Sequence, residues 1–197
     1  MPKLKPESLV RRQQHLLDAA ERCFARLGIQ ATTMRDIFDE ARVSAGGMYV
    51  HFASKADVIE ALALRTSERD TTFIKRCVVA GDPAATVRNI LRLAFADWRT
   101  PQARHGVRLD IALWGEALRD RRIARILERS ARAAMAAIAG ALADAEGSRV
   151  RAAHLKRSRV LGALIIGVAV QWHADSQLDP DSLEEVTMAL SPTLAVA

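Results

Sequence analysis

Apolar residues recur along the chain at spacings of three and four, and no stretch alternates as a half-buried strand would. Leu16, Ala20, Phe24 and Leu27 share one face of a first helix, and Gly28 stands where a C-cap glycine would end it. Thr33-Met34-Arg35-Asp36 has the form of a capping box, with Ile37, Phe38 and Ala41 on the inner face of the short helix it opens. After Arg42-Val43-Ser44 a second short helix is expected through Met48 to Phe52, and Ser54 is placed to cap a long helix from Lys55. Gly81-Asp82-Pro83 supplies a stop, an N-cap and a first-turn proline. Val87, Ile90, Leu91, Ala94 and Trp98 form one inward stripe; Val107, Ile111, Trp114 and Leu118 form another. An Ala-rich helix is expected from about Ile123 to Ala145, then an apolar one around Val160 to Trp172, and a last one from Pro180 that ends before Pro192. The pattern predicts an all-α fold of about nine helices.

Composition narrows the class without naming a function. The 197 residues are 50% hydrophobic with only 10 Gly and 6 Pro, which excludes disordered and collagen-like chains. The longest apolar run, Val160 to Val170, is 11 residues, short of the ~18 that suggest a membrane span. The polar start, MPKLKPESLVRRQQ, lacks a signal-peptide core, and two cysteines make no disulfide framework, so a cytoplasmic setting is expected. His15, His105, His154 and His173 show no metal-ligand spacing, Cys23 falls on an apolar face, and Cys77 has no base partner. No catalytic centre, metal or organic cofactor is expected.

The informative stretch is residues 33–52, TMRDIFDEARVSAGGMYVHF. Two helices of about two turns joined by a short turn suit a helix-turn-helix, whose second helix enters the major groove. Ala41 is small where the helices cross, Val43 turns inward, and Ser44 can cap the second helix. Arg42 stands at the turn position usually given to glycine; a positive φ there would cost about 1 kcal/mol.

From about Arg11 to Leu64 the chain resembles the TetR family of transcriptional regulators, through LLDAAERCFARLG, ATTMRDIFDEARVS, GGMYVHF and SKADVIEAL. The resemblance implies a DNA-binding domain at 10–64 and an effector-binding and dimerisation domain at 65–197. It implies phosphate contacts from Thr32, Thr33 and Lys55, and a recognition edge at Ser44, Ala45, Gly46 and Gly47. Tyr49 and His51 match positions that touch phosphate or a base edge. Where the family often has a lysine and a hydroxyl residue this chain has Ala45 and Gly47, so base selection would lean on Arg35, Tyr49, His51, methyl contacts or DNA shape. Tyr49 as a core aromatic, and His51 as a surface residue without a role, stay open beside these readings. Phe52 reads as core.

In the second part, Trp98 and Trp114 are expected to face a common interior, either as plain core or as the wall of a pocket for an apolar effector. Met135 among small residues would line the same space, and Arg108 would recognise a polar group or lie in solvent as a surface charge. Phe73, Arg99 and His105 are weaker candidates. Gly162 and Gly167 in an apolar helix permit close backbone approach, so a homodimer is expected through helices at about 152–173 and 180–191. RLDIALWGEALRD and LGALIIGVAVQ with LDPDSLEE are similar to the betaine-inhibitor-type branch of the family. The function implied is a repressor that binds a palindromic DNA operator as a dimer and is released by a small molecule. A helical ligand-binding protein or enzyme that has lost DNA binding is the alternative.

The charge is not where that function would put it. The net charge is +6, yet residues 1–60 hold nine Lys+Arg against eight Asp+Glu. Residues 119–159 hold eleven basic and four acidic residues, and 175–197 hold five acids with no Lys or Arg. The surplus arginines would pair with the acidic C-terminal segment or bind an anionic effector.

Overall fold

The computed structural model describes residues 6–44, 51–175 and 180–196. Among them run nine α-helices and no strand: α1 Pro6–Leu27, α2 Met34–Ala41, α3 Lys55–Arg76, α4 Pro83–Trp98, α5 Pro101–Ala117, α6 Arg121–Ala145, α7 Ala152–Ala174, α8 Pro180–Ala189 and α9 Ser191–Val196. The helix boundaries follow local chemistry. Gly28 takes φ +79° and its N–H reaches the Phe24 carbonyl, closing α1. The Asp82 carboxylate accepts from Ala85 N–H at 2.7 Å and caps α4 ahead of Pro83; Asp120 does the same for Arg122 N–H at the start of α6. The C-terminal end differs from the pattern reading: α8 stops at Ala189, but Ser191 and Pro192 open a further short helix, as a proline can in a first turn.

The chain divides into two compact units, residues 1–65 with 108–127, and 66–107 with 128–197. The core of the first gathers Leu16, Ala20, Cys23 and Phe24 of α1, Ile37 and Phe38 of α2, Phe52, Val58 and Leu62 of the α3 region, and Leu109, Leu113, Ile123 and Ile126 of α5 and α6. The unit that holds the helix-turn-helix residues is therefore larger than the segment 10–64. The second unit has a core of Ile74, Cys77, Val87, Leu91, Ile138, Leu142 and Leu161, and beside it a smaller apolar cluster around Phe95, Val168 and Ala169.

Two stripes need correction. Trp114 is 43% exposed and Leu118 89% exposed, whereas Leu109 and Leu113 are buried. Leu109 and Leu113 lie at helical spacing too, on a neighbouring face of α5, and tertiary packing chose that face over the stripe that periodicity picked out. Leu27 and Leu190 are also exposed, each in the last turn or just beyond its helix.

Candidate nucleic-acid interface

The helix-turn-helix frame is assembled from local bonds. Thr33 Oγ1 accepts from Asp36 N–H at 3.2 Å, and Thr33 N–H donates to Asp36 Oδ2 at 2.7 Å, completing the capping box of α2. The Thr33 hydroxyl and then its backbone N–H hold the Asp36 carboxyl below the usual carboxylate range. At the other end Arg42 has φ 53°, ψ 41°, the left-handed conformation expected of it, and Val43 N–H reaches back to the Phe38 carbonyl at 3.1 Å. Val43, half-buried, packs on the first core, so the turn is held by a side chain as well as by backbone. His15 of α1 adds a tie that the sequence did not advertise: its Nε2 lies 2.8 Å from the Ala41 carbonyl, one of the acceptors left orphaned at the end of α2.

Ala45, Gly46, Gly47 and Tyr49 lie outside the described residues. Ser44 is exposed just before them. His51 is half-buried, its ring 6.5 Å from that of Phe52, and Phe52 is buried in the first core. Thr33 and Arg35 are exposed at the start of α2. Among the described residues Arg35 makes a loose contact with Asp39, 3.8 Å away and highly exposed on both sides.

Two of the expected phosphate-contact residues, Thr32 and Lys55, have their donors engaged within the protein. Thr32 is 1% exposed. Its hydroxyl donates to the Gly28 and Cys23 carbonyls at 2.6 and 3.3 Å, and its N–H reaches Gly28 too, so no donor remains for a phosphate. Lys55 Nζ donates to the carbonyls of Ile29, Gln30 and Thr32 at 2.7, 3.1 and 2.9 Å. An ammonium has three protons, and here all three are engaged. Sequence reasoning placed both residues at the right helix starts; it could not see that the α1–α2 turn folds back over them.

Several other cations of this unit are also paired. Arg22 and Arg26 share Glu40 at 2.7 and 3.3 Å, and Arg65 bridges Asp18 and Glu21 at 2.6 Å each. Glu116 accepts from Gln30, and Arg122 pairs with Asp57, so the corner between α5 and α6 is tied to the starts of both α2 and α3. The Ser54 hydroxyl first, and then Arg122, lower the Asp57 carboxyl.

In the second unit Met135 is half-buried, its thioether close against Gly162, where an added Cβ would come 2.8 Å from Sδ. Arg108 is exposed on α5. The Trp98 side chain lies outside the described residues, and Trp114, in the first unit, is exposed. An aromatic group lies elsewhere: the rings of Phe95 and Trp172 are 6.4 Å apart, and Trp172 meets His173 edge-on at 5.9 Å. His173 Nδ1 lies 2.8 Å from the Ala169 carbonyl, and because a carbonyl only accepts, Nδ1 carries the proton. Nε2, an acceptor in the neutral ring, is buried with no hydrogen-bond partner among the described residues. Trp172 sits at the end of the apolar run, yet its partner Phe95 is 77 positions away, beyond any periodic signal. The exposed face of α7 carries Leu155, Val160, Ile166 and Val170, with Lys156 and Arg159 toward its start, and a Cβ built at Gly167 meets nothing within 4 Å among the described residues.

Among the described residues no three His, Cys, Asp or Glu side chains gather as a metal site, and no helix is long and apolar enough to cross a membrane. Burial raises the thiols of Cys23 and Cys77, which suits packing more than nucleophilic chemistry.

Comparison with known proteins agrees with this geometry. Residues 16–62 match the model of bacterial regulatory proteins of the tetR family, and residues 83–194 match that of the BetI-type transcriptional repressor C-terminal part. The transcriptional repressor Rv1474c of Mycobacterium tuberculosis is 36% identical over 76 residues, 39% of this chain and 41% of that protein. The repressor KstR2 of Rhodococcus jostii is 43% identical over 86 residues, 43% of this chain and 42% of that protein. In these alignments the chain spans about two fifths of each relative's length. GusR of Salmonella enterica shares the fold over the full length of both chains, with a TM-score of 0.77 at 23% identity. The chain belongs to the TetR family of bacterial regulatory proteins, with a BetI-type C-terminal part.

Proposed function

We propose that this protein is a transcriptional repressor that binds a palindromic DNA operator as a homodimer in the cytoplasm and leaves it when a small molecule binds. The observation that carries the reading is the frame around residues 33–52: a capped α2, a left-handed turn at Arg42 and a buried Phe52. A rigid frame of this kind holds a second helix at a set angle to the first, which is what entry into a major groove requires. Thr33 and Arg35 stand beside the first amides of α2, which have no intrahelical carbonyl and suit an anion. Ser44, Ala45, Gly46, Gly47, Tyr49 and His51 form the reading edge. Thr32 and Lys55 shape this surface without touching DNA.

The exposed face of α7, with α8, forms the subunit interface. Leu155, Val160, Ile166 and Val170 would be covered there, and the open space at Gly167 admits the partner's backbone. The effector binds in the second unit, beside Met135 and the Phe95–Trp172–His173 group, where an unmet acceptor among aromatic rings suits an apolar molecule carrying a hydrogen-bond donor. Release follows only from tighter effector binding in the conformation that does not fit DNA, and the coupling acts equally in reverse.

The test is a palindromic fragment from the region upstream of the protein's own gene, titrated at several salt concentrations. Binding well above that of random DNA is expected at every salt. Equal binding would overturn the reading.

A further inference from the structure

A helix-turn-helix protein must neutralise several phosphates, and four cations of this unit, Arg22, Arg26, Lys55 and Arg65, are engaged inside the protein. Arg22 and Arg26 neutralise Glu40, Arg65 bridges Asp18 and Glu21, and Lys55 is bonded to three carbonyls. Of the remaining exposed arginines in this unit, Arg119 and Arg121 stand out by position. They flank Asp120, whose carboxylate is occupied in capping α6, accepting from Arg122 N–H at 2.7 Å and Ile123 N–H at 3.4 Å. Both are exposed, and neither side chain has a partner among the described residues.

Their corner is held against the reader at two points. Glu116 accepts from Gln30, three residues before the N-cap of α2. Arg122 pairs with Asp57, in the first turn of α3. The corner thus borders the starts of both α2 and α3, beside the exposed Thr33 and Arg35.

We propose that Arg119 and Arg121 bind DNA phosphates flanking the operator half-site, extending the electrostatic footprint of the helix-turn-helix. This rests on the DNA-binding reading above. The pair adds affinity without sequence information, since phosphate contacts fix register and carry no base readout. It also accounts for part of the basic surplus that residues 119–159 hold outside the reader.

The test uses the full chain and the duplex that the wild-type protein enriches from a random-sequence pool. Binding of wild type, Arg119→Gln with Arg121→Gln, and a control carrying Arg76→Gln with Arg149→Gln is followed across salt concentrations. Removing one phosphate-binding arginine should reduce the salt slope by about 0.9, and affinity of the double variant at 0.1 M salt should fall roughly tenfold or more. The fall should be equal on the enriched duplex and on random DNA, so the sequence preference stays the same. The control pair, in the other compact unit, should keep the wild-type slope. An unchanged slope in the Arg119/Arg121 variant, or an equal drop in the control, overturns the inference while leaving the repressor reading intact. A wild-type chain that enriches no duplex overturns both.

Discussion

The ammonium of Lys55 lies 2.7 Å from the carbonyl oxygen of Ile29, and two further carbonyls complete its donor set. The start of α3 is thereby pinned to the turn that launches α2. Hydrogen bonds from a charged donor are worth about 1.5–3 kcal/mol each before offsets, so Lys55→Met should destabilise the fold by about 2–3 kcal/mol. Thermal denaturation in the absence of DNA reads this directly. A residue whose only task were to touch phosphate would leave the melting temperature unchanged.

Arg42 sits at φ 53° with a side chain attached. Left-handed backbone costs an L-residue roughly 1–2 kcal/mol, and glycine escapes that while losing about 0.5–1 kcal/mol to chain entropy. Arg42→Gly should therefore leave stability equal or slightly raised, and Arg42→Val, branched at Cβ, should lower it. Denaturant midpoints of the three proteins should rank Gly, Arg, Val.

At Gly162 a new methyl would displace the end of Met135. Because that end is flexible, Gly162→Ala should cost only about 1 kcal/mol. In a double-mutant cycle the cost should shrink when Met135→Ala is already present, by about 0.5 kcal/mol or more. Additive changes would show that the two do not meet.

Glu146 accepts from His154 at 2.8 Å and from Arg157 at 2.7 Å, and these partners, His154 first, hold its carboxyl below the usual range. Its folded pKa is depressed, so its contribution is fully present above the unfolded carboxylate value and is lost as pH falls through the folded one. Glu146→Gln should be less stable at neutral pH and should lose less stability on acidification than wild type. Parallel acid limbs for the two proteins would contradict this.

The exposed face of α7 gives a separate test of assembly. Ile166→Arg should yield a folded monomer in size-exclusion chromatography with light scattering, helical content unchanged, because Ile166 is 42% exposed in the single chain. A dimer that persists would place the interface elsewhere.

Much of this was legible in the residues. The Gly28 cap, the Thr33–Asp36 box and the strained Arg42 are each decided within a few positions, where sequence spacing and backbone bonds are the same information. The α5 register was not legible, since Leu109 and Leu113 compete with Ile111 and Trp114, both pairs at helical spacing. Nor was the engagement of Lys55 and Thr32, or the meeting of Trp172 with Phe95. Those depend on which turns fold over which helices, and a periodic pattern carries no long-range distances. The charge reading needed the structure most: the surplus at 119–159 looked remote from the reader until Arg122 proved to be paired with Asp57.

The central claim, sequence-specific binding by a dimer, is met most directly by selecting duplexes from a random-sequence pool with the full-length wild-type chain. The account predicts enrichment of one inverted repeat whose half-sites lie about 10 base pairs apart, or a multiple of that, bound by two chains. A pool that stays random after repeated rounds, with equal affinity for all its members at every salt concentration, would contradict it.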